Sequence, residues 1–132
     1  MANWMRLTMD GRDFRVRIVY NTLARAFELI EGVNAGDMFS GRHERDLRGT
    51  GFTYEMAIEP DPDFPGDYDE LFDALSEPVD SHVITVPYGQ GTLTYAAEIV
   101  SGQDTYGGAL SGVNQWGGLT VSFRYISPQK EA

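Results

Sequence analysis

Apolar residues recur at every second position through most of this chain, a period that belongs to β-strands burying one face. In "WMRLTM" the alternation puts Met5, Leu7 and Met9 on one side. The "DG" that follows is a hairpin signal, because Asp and Gly tolerate the positive φ of a two-residue turn. "DFRVRIVY" resumes the pattern with Phe14, Val16, Ile18 and Tyr20 inward and Arg15 and Arg17 outward, so these two strands are expected to pair. "FTYEMAIE" sets Phe52, Tyr54, Met56 and Ile58 on one face. Further on, "HVITVPY" turns through "GQG" into "TLTYAAEIV", where Leu93, Tyr95, Ala97 and Ile99 share a side. The last strand, "LTVSFRY", buries Leu119, Val121, Phe123 and Tyr125.

One stretch breaks the period. In "GDYDELFDALSEP", Asp67 stands where an N-cap belongs, Glu70 completes a capping-box spacing, and Tyr68, Leu71, Phe72 and Leu75 follow the i, i+3, i+4, i+7 rule. This predicts one short amphipathic helix from about Tyr68 to Ser76, ended by Pro78. Residues 23–31 fit either a short helix through Leu23, Phe27 and Ile30 or a strand through Arg25, Phe27 and Leu29. "DMFSGRHERDLRGT" is too polar for the core and reads as an exposed strand extension or a protruding hairpin. Between Gly102 and Gly118 six glycines interrupt seventeen residues, which predicts a long loop that is either functional or ordered on binding. Together these signals predict a mainly β single domain over residues 1–132. Its expected form is a β-sandwich or barrel of about seven strands, largely antiparallel, with one short helix.

Composition narrows the function classes. At 132 residues with 42% hydrophobic residues, the chain suits one domain with its own core. No run approaches the roughly 18 apolar residues of a membrane span. The first twenty residues alternate arginine with apolar residues where a signal peptide would show an apolar block, so a soluble chain is expected. The absence of cysteine excludes disulfides, thiolate metal sites and cysteine nucleophiles. A net charge of −10 disfavours a nucleic-acid binder, which needs clustered Lys and Arg. That charge is unevenly placed: residues 1–50 hold eight bases and seven acids, residues 51–132 two bases and thirteen acids. Unlike faces of neighbouring copies could therefore meet head to tail.

The candidate sites are weak as chemistry. "EPDPDFPGDYDE" crowds six carboxylates among prolines and a glycine. As a calcium loop starting at Asp61, it fits at Asp63 and Gly66 but places Pro65 at the fifth position and Phe72 at the twelfth. No carboxylate pair is visibly brought to a cleft for glycosidase chemistry. His43 and His82 lack a zinc spacing, Ser40 and Ser111 lack a nucleophile elbow, and the glycine pairs lack the Lys of a phosphate loop. The reading is no enzyme, with no catalytic, cofactor or metal site. The basic cluster of Arg42, Arg45 and Arg48 is assigned instead to a subunit interface, facing Asp61, Asp63 and Asp73 of a neighbour. Trp116, beside two glycines, joins that interface or, in an alternative reading as a monomeric carbohydrate-binding β-sandwich, acts with Trp4 as a stacking platform.

Three segments carry a family resemblance: "LIEGVNAGDMFSGRHERDLRGTGFTYEM", "YDELFDALSEPVDSHVITVPYGQGTLTYAAEIVSG" and "QWGGLTVSFRYISPQ". They resemble small structural proteins from tail modules of siphophages and prophages of Gram-positive bacteria, of the tail-tube or distal-tail kind. The resemblance implies a β-sandwich or barrel flanked by one helix and assembled as a ring, commonly hexameric. It also implies partners among other tail proteins and a place in the virion after synthesis in the bacterial cytoplasm. The position in the tail stays open among tube, distal tail or baseplate, terminator and connector.

Overall fold

A computed structural model describes residues 6–31, 36–37, 43–44 and 47–131. Eleven strand segments and one helix are found among them. The turn at Asp10–Gly11 has φ of 55° and 79°, the mirror-image turn that matches strand twist, and it joins β1 (Leu7–Met9) to β2 (Arg12–Phe14) as expected. Arg15 then interrupts the ladder. Beyond it, β3 (Val16–Ile18) pairs with β7 (Leu47–Pro60) rather than with β1. The stretch from Arg12 to Ile18 thus ties together the two ends of one sheet, which coils into an open, barrel-like roll.

The remaining strands build the wall between those ends. β8 (His82–Tyr88), β9 (Gly91–Leu110) and β10 (Val113–Tyr125) run antiparallel to one another, with β8 beside β1 and β10 beside β7. β4 (Ala24–Glu31) and the short β11 (Lys130–Glu131) also lie on β7. β5 (Gly36–Asp37) and β6 (His43–Glu44) form a separate small pair. With β2 and β3 taken as one kinked strand and β5, β6 and β11 set aside as two-residue pieces, seven strands carry the fold, largely antiparallel and with one helix as the periodicity predicted.

The core follows the alternation. Leu7, Met9, Phe14, Val16 and Ile18 meet Phe52, Tyr54, Met56 and Ile58 of β7, with Leu119, Val121 and Phe123 opposite. Helix α1 (Pro65–Leu75) closes one end by burying Tyr68, Leu71 and Leu75. No helix among the described residues is long and apolar enough to cross a membrane.

Four expectations are corrected. Helix α1 begins at Pro65, not near Tyr68, because proline suits the first helical turn, where its missing N–H is not needed. Asp67 is therefore not the N-cap. Phe64 occupies that place with no side-chain cap, and the Asp67 carboxylate turns to Arg15 instead. The stretch from Gly102 to Gly118 is no loop: β9 and β10 continue through it to a tight turn at Ser111–Gly112, φ 51° and 78°. Tyr20, read as inward, is 51% exposed because the chain turns out of β3 at that point. Residues 23–31, open between helix and strand, form β4.

Candidate functional site

The bend of β2 into β3 would leave the Arg15 N–H without a ladder partner. Asp67 supplies one, accepting that N–H at 2.9 Å and the Arg15 Nε at 3.0 Å. The Arg15 hydrogen bonds hold the Asp67 carboxyl below the usual carboxylate range. Glu70, one turn along, takes Arg12 at 2.6 Å. These pairs fix the rotation of α1 about its axis. Tyr68, Leu71 and Leu75 then face the core, and Asp69, Phe72 and Asp73 face the distal half of the β9–β10 hairpin.

Between that helix flank and the hairpin lies a cleft in two adjoining parts. The larger, about 810 Å³, runs from Glu59–Pro62 and Arg17 across to Asn114–Gly118. The smaller, about 370 Å³, is lined by Tyr68, Phe72 and Trp116 together with Asp69, Asp73 and Asp104. Trp116 is 42% exposed and rests on its cross-strand partner Tyr106 with ring centroids 4.9 Å apart. The Tyr68 hydroxyl donates to Asp104 at 3.0 Å. Burial first, and that bond second, push the Tyr68 phenol far above its ordinary value, so it stays a donor at any physiological pH. Glu59 accepts the Gly118 N–H at 2.9 Å, tying the root of the hairpin to the end of β7. A Cβ at Gly117 would lie 2.3 Å from a Glu59 carboxylate oxygen, so a larger residue there would push that carboxylate aside.

A second groove, of about 520 Å³, has the opposite character. Arg25, Phe27 and Leu29 of β4 meet Phe52, Tyr88 and Lys130 there. The Arg25 guanidinium lies 5.2 Å from the centre of the Tyr88 ring, and the Lys130 ammonium 6.0 Å from that of Phe52. Next to it, Phe27 is 70% and Leu29 41% exposed. Among the described residues β4 pairs only with β7, and β9 beyond Ala97 only with β10, so each presents an unpaired backbone edge.

The residues assigned to an interface from the sequence separate into two groups. Asp61 and Trp116 line the larger part of the cleft, and Asp73 and Trp116 the smaller. Asp61 is buried and accepts the Asp63 N–H at 3.0 Å, which shapes the turn into α1. Arg48 stands near the opposite end of β7 from that cleft. Arg42, Arg45 and Trp4 lie outside the described residues. Sequence reasoning missed Phe72, which it assigned to the core, and Asp104, which it left in a loop. The i, i+4 spacing of Asp69 and Asp73 was the available signal for a shared helix flank. His82, at the start of β8, is buried, with its Nδ1 2.6 Å from Asp10. Among the described residues no three His, Asp or Glu side chains converge to hold a metal ion. The sequence matches no protein-family profile and no curated protein.

Proposed function

We propose that this chain is a non-enzymatic structural subunit of a phage or prophage tail that assembles with its own copies into a ring or tube. The observation that carries the reading is the unpaired edge of β4, eight residues long, with Phe27 and Leu29 exposed beside it. A long edge strand bearing large apolar residues is a template for pairing with another chain, and although β4 also carries Arg25 and Glu28 and an irregular register at Ile30–Glu31, Phe27 and Leu29 stand exposed between them. The distal β9–β10 hairpin adds a second exposed surface, with Leu110 69% and Val113 59% accessible. Two different sticky surfaces on one copy give head-to-tail contacts, which close into rings or grow into tubes. The resemblance to siphophage tail-module proteins supplies the biological setting and the expectation of six copies per ring.

Negative-stain electron microscopy of the purified full chain tests this reading. Rings or tubes of uniform diameter are expected, and fields of isolated small particles at high protein concentration contradict it. A monomeric sugar-binding module is the competing reading, favoured by the half-exposed Trp116 flanked by Asn114, Gln115 and Asp69. It requires a glycan that quenches tryptophan fluorescence in the monomer and loses that effect in Trp116→Ala.

A further inference from the structure

Helix α1 closes the end of the roll where β7 finishes, and the groove of about 520 Å³ lies towards the other end, near where β7 starts. The strand register shows how this groove is made. Directly opposed residues of paired strands share a face of the sheet. Arg25, Phe27 and Leu29 of β4 stand opposite Tyr54, Phe52 and Thr50 of β7, and Lys130 of β11 also stands opposite Thr50. Phe52 and Tyr54 are core residues, so these four side chains lie on the inward face of the sheet, where it runs on past the core. Phe27 and Leu29 are left exposed there.

The groove joins an apolar floor to two cations that have no acid partner. The Phe52 and Tyr88 rings meet edge to face with centroids 5.4 Å apart, and Phe27 and Leu29 extend their surface. Arg6, Arg12, Arg15 and Arg124 each pair with a carboxylate, whereas Arg25 and Lys130 have none within ion-pair distance among the described residues. In a chain with 20 Asp and Glu against 10 Lys and Arg, the described lining of this groove contains no acid at all. The Tyr88 and Phe52 rings hold the two cations by their faces, a contact that uses no N–H donor.

Such a lining suits a ligand that is anionic at one end and apolar along its length. The volume falls within the range of small-molecule sites, about 300–1,000 Å³. A guanidinium offers an oxyanion two parallel N–H donors. Lys130 stands four positions along β7 from Arg25, about 13 Å at the usual strand rise, so its stem can cover an apolar chain while its ammonium stays in water. We infer that this end of the roll binds a single-chain amphipathic oxyanion, a fatty carboxylate or an alkyl phosphate, with its head on Arg25 and its chain along Phe27, Leu29 and Phe52. The inference does not depend on self-assembly, because strand pairing at β4 uses the backbone edge and this groove uses inward side chains.

Isothermal titration calorimetry of the full chain with dodecanoate, dodecyl phosphate and dodecyltrimethylammonium, each kept below micelle formation, tests the site. At least one of the two anions should bind once per subunit and at least tenfold more tightly than the ammonium of equal chain length, the tighter anion naming the head group. Arg25→Gln/Lys130→Gln, which removes both charges, and Phe27→Ser, which removes part of the floor, should each weaken that binding at least tenfold with an unchanged melting temperature. If loss of Arg25 lowers the melting temperature, Lys130→Gln and Phe27→Ser, both at exposed side chains, carry the test. Absence of binding by either anion, equal binding of the ammonium, or equal binding by the variants overturns the inference, and none of these outcomes bears on ring or tube formation.

Discussion

Asp67 illustrates how a side chain can occupy a familiar sequence position and do another task there. In the sequence it stands where a cap belongs; in the fold it receives the Arg15 N–H and guanidinium across the molecule, at the kink that joins the two ends of the sheet. Asp67→Asn is expected to destabilise the protein by about 1–2 kcal/mol, the scale of a lost charge-assisted hydrogen bond. Glu70→Ala, which removes an exposed pair, should cost well under about 1 kcal/mol. Equilibrium urea unfolding separates these outcomes from the capping reading, in which loss of a reciprocal box would weigh on both residues. The pH dependence has a definite sign. Because the Asp67 carboxyl is held below its unfolded value of about 3.9, its contribution is complete above that pH and is lost as pH falls through the folded value. The wild-type and Asp67→Asn stabilities should therefore converge below about pH 4. Asp10 behaves in the same direction. Burial works to raise its carboxyl, but the hydrogen bonds from His82 and the Val83 N–H outweigh it and leave it lowered. Asp10→Ala would strand the buried His82 ring, whose Nε2 already has no protein partner, and should cost about 1–3 kcal/mol in the same assay.

Strands with clean alternation were legible because burial of one face leaves a direct mark on residue type. Phe52, Tyr54, Met56 and Ile58 are inward in sequence and in fold alike. The distal hairpin was illegible for the opposite reason. From Gly102 to Gly118 both faces meet solvent or a cleft, so no alternation is imposed, and the glycines that read as loop signals sit at irregular ladder positions such as Gly117–Thr120. Phe72 was misplaced because helical spacing identifies a face without saying whether the core or a cleft lies under it. The acid-rich stretch at Asp61–Phe64 turns the chain into α1, but the cleft it borders depends on Asp104 and Trp116, which are distant in sequence. β11 provides an element-level test. A Cβ on Gly49 would fall 2.1 Å from the Lys130 carbonyl oxygen, backbone that cannot move aside without breaking the β11 pairing. Gly49→Ala should release the C-terminal segment, lower stability by about 1–3 kcal/mol and speed amide exchange at Lys130, as read by hydrogen-exchange mass spectrometry.

As a body, the protein has a buried apolar interior and unfinished outer edges. β4 exposes Phe27 and Leu29 on one side, the β9–β10 hairpin exposes Leu110 and Val113 on another, and charge is divided between a cationic aromatic groove and an acidic aromatic cleft. Folding alone does not require this arrangement, since exposed edges and large apolar residues are aggregation hazards unless a partner covers them. On the self-assembly reading proposed above, another copy of the same chain covers these surfaces, and the edge of β4 is where a single change should undo that contact. Phe27→Lys leaves the core untouched, because the side chain is already exposed, and places charge on the pairing edge. Sedimentation velocity of the wild-type chain and of Phe27→Lys over a range of protein concentrations is the most direct measurement. The wild type should sediment as a discrete multi-subunit species and the variant as a monomer with an unchanged melting temperature. A wild-type chain that remains monomeric at the highest concentration would contradict self-assembly.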